Sequence, residues 1–212
     1  MNYYGLVVIG AHSGIWLKSE IENINNKNIL LVEPVPYNYK VLEKKNSQNT
    51  NIKICKNAIF DIKEKRKFFF VKQDSLKKLK KHWASGIGSF NKNHILNHKN
   101  KRFKITDDDI EEILIDFITF DDLIEKYSIK KIEKLQIDVE GAEFNILNSI
   151  DFLKIEINQI IFESKHFDGT FKEGDKLKEI KKKLINSGFS LTQIDKENIL
   201  ARKNIKNRFI VT

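Results

Sequence analysis

The chain has 212 residues, 41% of them hydrophobic, with 38 Lys and Arg against 29 Asp and Glu for a net charge of +9. That is enough apolar material for one packed domain, and the single Cys55 excludes an internal disulfide and suits a reducing, cytoplasmic setting. No run of eighteen apolar residues occurs, so no membrane-spanning helix is expected. The opening residues lack a basic segment and a small-residue cleavage site, so no secretory signal is expected either. The basic excess invites a nucleic-acid reading. Lys, Ile and Asn are abundant everywhere, however, and the dense stretches Lys77 to Lys81 and Lys181 to Lys183 read as solvated faces. No nucleic-acid partner is expected, only a general attraction to anionic surfaces or substrates.

Apolar runs alternate with helical patterns, the order of an α/β domain with a largely parallel sheet. Tyr4 to Ile9 reads as a first strand, ended by Gly10. From Ile15 onward, Leu17, Ile21 and Ile24 recur at helical spacing. Ile29 to Val32 is a second buried strand stopped by Glu33-Pro34, a helix is expected from about Tyr37 to Asn46, and Ile52 to Phe60 reads as a third strand. Phe68 to Val71 is a β-like run suited to a hairpin. The stretch from about 74 to 109 has weak periodicity and holds Gly86, Gly88, His82, His94 and His98, which predicts an irregular insertion or lid within a single domain over residues 1–212. Order returns with a strand at Ile113 to Ile118, a Thr119/Asp122 helix cap, and a stripe at Phe120, Leu123, Ile124 and Tyr127. Leu135 to Val139 is a strand ending in acids, and a helix follows through Ile146 and Leu147. Ile157 to Phe162 is a strand ending in Glu163. After Gly174, Leu177, Ile180, Leu184 and Ile185 form one helical face with Gly188 as its stop. Phe189 to Ile194 and Ile199 to Arg202 read as a closing antiparallel hairpin.

The first strand runs into Gly10-Ala11-His12-Ser13-Gly14 and then a helix. Glycines there let the backbone turn sharply and approach a ligand, and exposed N–H groups can hold an anion. Glu33, about twenty residues on at the tip of the second strand, stands where such folds bind a ribose diol. That geometry fits both NAD and S-adenosylmethionine. The turn lacks the G-x-G-x-x-G pattern that seats a pyrophosphate, which favours a cofactor without a diphosphate. Asn57-Ala58, after the third strand, offers one polar and one small side chain to border an adenine.

These segments together resemble the FkbM family of methyltransferases. Gly10 to Gly14 is similar to the family's first motif, and Glu33-Pro34-Val35-Pro36-Tyr37-Asn38 with Leu42 and Asn46 to its second. The most distinctive stretch is Ile137-Asp138-Val139-Glu140-Gly141-Ala142-Glu143 with Ile146-Leu147. Ile160-Ile161-Phe162-Glu163 resembles the next strand. The resemblance covers about residues 4 to 202 and matches the middle insertion poorly. It implies a doubly wound, mostly parallel seven-stranded sheet (class I methyltransferase, Rossmann-like) with the C-terminal hairpin. It also implies S-adenosyl-L-methionine as cofactor and O-methylation of a hydroxyl on a small molecule or glycan. By position, Gly10, Ala11, His12, Ser13 and Gly14 would surround the methionine end, Glu33 and Pro34 the ribose, and Asn57 and Ala58 the adenine.

Methyl transfer from a sulfonium is an in-line displacement, and a hydroxyl acceptor must lose its proton as the bond forms. Asp138, Glu140 and Glu143 cluster at one strand end with Glu163 at the next, the side where open α/β sheets bind ligands. Asp138 is expected at the transfer site, touching the donor's ammonium or the acceptor, with Glu140 assisting, Glu163 anchoring the acceptor and Glu143 structural. His166, beyond Glu163, is an alternative base. His94 and His98, four apart, would share a helical face as metal ligands do. No carboxylate or cysteine set stands beside them in the sequence, so no metal is expected. A module that binds the cofactor without catalysis, or an NAD-dependent oxidoreductase, remains an alternative. The latter should show a diphosphate loop and a Tyr-x-x-x-Lys pair.

Overall fold

Side chains of the first two strands are divided between the two faces of the sheet, with a register shift between Tyr4 and Leu6 in the first, yet nearly all are buried. In Tyr3–Ile9 (β1), Tyr4, Val7 and Ile9 join one core while Leu6 and Val8 join another. In Asn28–Val32 (β2), Leu30 and Val32 share the first core, and Ile29 and Leu31 the second. Strands apolar on both faces belong in the middle of a sheet covered by helices on each side. The computed structural model shows that arrangement and describes residues 2–24, 27–100, 103–168 and 172–204.

Around β1 and β2 the chain adds Lys18–Asn23 (α1), Pro36–Asn46 (α2) and Ile52–Cys55 (β3). Further on come Lys131–Ile137 (β8), Glu143–Ser149 (α6), Glu156–Glu163 (β9), Asp175–Asn186 (α7), Phe189–Gln193 (β10) and Asn198–Lys203 (β11). Seven strands form one sheet in the order β10-β11-β9-β8-β1-β2-β3. From β3 across to β9 the neighbours are parallel, while β11 runs antiparallel to β9 and to β10. The α/β, doubly wound architecture and the closing hairpin follow the sequence expectation.

The residues between these two groups form a second sheet. Ala58–Ile59 (β4), Glu64–Val71 (β5), Gly88–Ser89 (β6) and Ile110–Ile118 (β7) lie in the order β4-β7-β5-β6. The run expected as one strand from Ile52 to Phe60 is thus two strands in two sheets, broken at Lys56 and Asn57. Phe120–Lys126 (α5) returns the chain to the main sheet behind a Thr119/Asp122 capping box. The helix expected from Ile15 starts only at Lys18, and Ile15 is exposed; the stripe is carried by Leu17, Ile21 and Ile24.

The segment from about 74 to 109, expected to be irregular, is built. It carries Gln73–Leu79 (α3), a 3₁₀ turn at His82–Gly86, Lys92–Leu96 (α4) and a 3₁₀ turn at Asp107–Asp109. Leu79, Ala84, Ile87, Ile95, Phe103 and Ile105 pack with Val71 and Ile110 into their own small core. Helices this short bury only one or two side chains each, so their apolar residues show no 3.6-residue period over a useful window. Ile95 is fully buried in that core. Ile95→Ala should therefore cost about 2–5 kcal/mol, read as a lower urea midpoint with an unchanged slope. An unchanged midpoint would mean that the segment packs loosely.

Candidate active site

The tips of β1, β2 and β8 meet at Gly10. Its backbone has φ +90°, and a Cβ there would lie 1.7 Å from the Asp138 carbonyl oxygen, so only glycine permits the two strand ends to come this close. Gly10 and Ala11 both donate N–H bonds to the Val32 carbonyl, and Asp138 donates to the Ile9 carbonyl. The glycine turn is thereby fastened to both neighbouring strands.

Glu33 is a buried strut at this junction. Its Oε2 accepts from the His12 N–H at 2.7 Å and its Oε1 from the Val35 N–H at 2.9 Å. Burial outweighs these bonds and pushes its carboxyl from 4.5 up to about 7. His12, itself at φ 50°, shares a 2.7 Å hydrogen bond between its Nε2 and the Ser85 hydroxyl. The Asn38 amide donates to the Ser85 carbonyl at 2.8 Å, so the 82–86 turn closes over the glycine loop.

A cleft opens in front of these groups. It is lined by Gly10, His12, Glu33 and Pro34, by the apolar Ala58, Ile59 and Phe117, and by Asp138 and Val139 beside Gly10. Phe68, Gly88, Ser89 and Phe90 cover it from the second sheet; Gly88 admits the Phe68 ring, which would lie 2.6 Å from an added Cβ.

Past the tip of β8 the backbone takes a rare course. Glu140 (φ 55°) and Gly141 (φ 104°) are both left-handed. The buried Glu143 carboxylate holds them there, accepting from the Val139 N–H at 2.9 Å and the Gly141 N–H at 3.0 Å. Burial raises its carboxyl to about 8. One oxygen each of Asp138, Glu143 and Glu163 lies within 4.8 Å of the others. Asp138 is reached by solvent at the cleft but is walled by protein; that desolvation, and then the charge of Glu140, lifts its carboxyl to about 6. Glu163 is raised to about 7 by burial, against the pull of Lys165, whose Nζ lies 2.5 Å from its Oε1. Burial works against ionising Glu140, but His166 and His94 beside it hold its carboxyl well below the ordinary range.

The sequence matches the model of the methyltransferase FkbM domain over residues 9–191. The chain belongs to the FkbM family of methyltransferases. No curated protein matches it significantly in sequence. Its fold is similar to that of Aeropyrum pernix fibrillarin in complex with natively bound S-adenosyl-L-methionine, at 11% identity and a TM-score of 0.45, covering 93% of this chain and 65% of fibrillarin. It is also similar to precorrin-6y C5,15-methyltransferase from Geobacter metallireducens (9% identity, TM-score 0.46, 96% of this chain and 82% of that one). A third is the ribosomal protein L11 methylase of Lactobacillus delbrueckii subsp. bulgaricus (11%, 0.43, 94% and 70%). This chain thus spans 65% of the length of the fibrillarin.

Of the residues that the FkbM resemblance singles out, Gly10, His12, Glu33, Pro34, Asn57, Ala58 and Asp138 line the cleft. Ala11 is buried behind it, Ser13 is buried with its carbonyl bonded to Lys45, and Gly14 lines a separate groove beside Leu42. Asn57 faces the cleft with its amide partly engaged, since Nδ2 donates to the Asp116 carbonyl at 3.1 Å and Oδ1 accepts from Lys126 at 2.8 Å, which leaves one N–H. Glu140, Glu163 and His166 come together next to Asp138, but outside the residues that line the cleft. Sequence reasoning missed Phe68, Phe90 and Phe117. An aromatic in a strand looks the same in a core as in a cleft wall, and no local signal separates the two.

The folded protein holds the Glu33 proton more tightly than the unfolded chain does. Its contribution to stability is present below about pH 4.5 and is lost as the pH rises through 7. Glu33→Gln removes that titration, so its stability relative to wild type should rise by on the order of 3 kcal/mol between pH 4.5 and 8. Urea unfolding of both proteins across that range checks this; a constant difference would contradict it.

Proposed function

We propose that this methyltransferase moves the methyl group of S-adenosylmethionine onto a hydroxyl oxygen of a small molecule or sugar at the Asp138 end of the cleft. The observation that carries this reading is that one cavity joins the Gly10 turn, Glu33, the Ala58 wall and Asp138. The donor set fits the molecule. Glu33, which already accepts from the His12 and Val35 N–H groups and the Asn38 side chain, has one acceptor position left for a ribose hydroxyl, and Ala58, Ile59 and Phe117 suit a planar base. Asp138, whose carboxyl is raised only to about 6, is ionised at neutral pH and suits the sulfonium charge, which the demethylated product lacks. When bound, the donor supplies an electrophilic methyl group.

The chain's own residues do the rest. Asp138 holds the acceptor hydroxyl and takes its proton. Glu163, fastened by Lys165, keeps the floor beside it in place, and Glu143 sets the loop that aims Asp138 into the cleft. Phe68 and Phe90 shield the site from water. Glu140 and His166 face each other 3.5 Å apart behind this end of the cleft, which leaves the proton to Asp138. No helix among the described residues is long and apolar enough to cross a membrane.

Asp138→Asn should lower turnover about 10²- to 10⁴-fold, the range lost with a general base, while calorimetry shows S-adenosylhomocysteine bound within a few-fold of wild type. Glu33→Gln should instead weaken that binding by about 10-fold or more. Methyl-labelled donor, offered with a panel of hydroxylated sugars and small molecules, should leave label on oxygen. Full turnover by Asp138→Asn would remove its role, and label found only on amines would overturn transfer to oxygen.

A further inference from the structure

Beside the cleft lies a cluster that methyl transfer does not use. His94 and His98 come from α4 and the turn after it, Glu140 from the left-handed turn past β8, and His166 from the loop past β9. All three imidazoles aim Nε2 at the same oxygen. Glu140 Oε2 is 3.8 Å from His94, 4.0 Å from His98 and 3.5 Å from His166. One ligand atom from each of the four lies within 4.8 Å of the other three. The expectation that His94 and His98 lack a carboxylate companion is corrected here: Glu140 and His166 are remote from them in sequence and adjacent in space.

These separations are too long for good hydrogen bonds. Accordingly His94 Nε2, His166 Nε2 and Glu140 Oε2 are buried without a hydrogen-bond partner, a costly state that calls for an explanation. Three nitrogens and one oxygen around a common centre provide one. In a tetrahedral site with metal–nitrogen bonds of about 2.0–2.1 Å the ligand atoms stand roughly 3.3 Å apart, so separations within 4.8 Å need to contract by at most about 1.5 Å. His98 donates its Nδ1–H to the His94 carbonyl at 3.0 Å, which leaves the Nε2 lone pair facing inward. The left-handed backbone at Glu140, braced by Glu143, is a strained feature whose effect is to place that carboxylate among the rings.

We propose that His94, His98, His166 and Glu140 form a binding site for one divalent transition-metal ion of the zinc type. Imidazole-rich ligands suit zinc, cobalt or nickel, whereas magnesium and calcium prefer all-oxygen shells. Four protein ligands complete a tetrahedron, so the site is structural rather than open for catalysis. It fastens the 92–98 segment to the tips of β8 and β9, next to Asp138, and so holds the insertion against the acceptor end of the cleft. The His12–Ser85 bond holds the same insertion at the glycine turn.

The test uses the full-length chain without an affinity tag, stripped with a chelator and titrated with Zn²⁺, Co²⁺ or Mg²⁺. Wild type should take up one equivalent of Zn²⁺ by calorimetry and give the intense visible bands of tetrahedral cobalt with Co²⁺. At Zn²⁺ a hundredfold above Kd its melting temperature should rise by roughly 5–10 °C; Mg²⁺ should do none of this. His94→Gln/His98→Gln should melt as the stripped wild type does, weaken Zn²⁺ binding at least 100-fold and lose the cobalt bands. Should that variant fail to fold, the wild-type cobalt spectrum decides alone. Absence of saturable Zn²⁺ binding, an octahedral cobalt spectrum, or undiminished binding by a folded variant would overturn the proposal.

Discussion

Two parallel strand tips pressed together organise this protein. Because Gly10 has no Cβ, the end of β1 can lie against the Asp138 carbonyl at the end of β8. The turn that opens toward a ligand and the acid that faces the acceptor thus share one cavity. A side chain at that position would push the strand ends apart and separate the two halves of the site. The closeness is a backbone property, set by the β1–β8 register in which Ile9 pairs with Ile137.

Buried carboxylates do different work on either side of that contact. Glu33 and Glu143 each accept backbone N–H bonds on both oxygens, bridging the loops at the strand tips. Their raised pKa values record the burial that this bracing requires. Asp138 alone among the four acids past β8 and β9 lines the cleft. Acids that look equivalent along the sequence are sorted into struts and a reactive group by which way the backbone turns them. The left-handed pair Glu140-Gly141 makes that division, because it reverses the chain between Asp138 and Glu143.

The insertion between β5 and β7 is the part of the molecule that adapts the fold. Its small core makes it a packed unit rather than a loop. It meets the main sheet at the Ser85 contacts with His12 and Asn38, and again where His94 and His98 face Glu140 and His166. Those two contacts flank the cleft, so the insertion closes it from the side that the main sheet leaves open.

Legible in the residues alone were the succession of strands and helices in the α/β frame, the glycine turn, the acid after β2 and the acids after β8, because each is a local pattern. Burial on both faces makes an unbroken apolar run, a sharp turn needs glycine, and a cap shows as Thr119 with Asp122 three residues later. The tertiary structure decided what depends on distance in space. It divided the Ile52 to Phe60 run between two sheets, and it turned Asn57 toward Lys126. It sent Gly14 to a different groove and brought Glu140 and His166 to the two histidines of the insertion. Those residues meet only because crossovers of the sheet bring their loops to the same edge, and no spacing along the chain encodes that meeting.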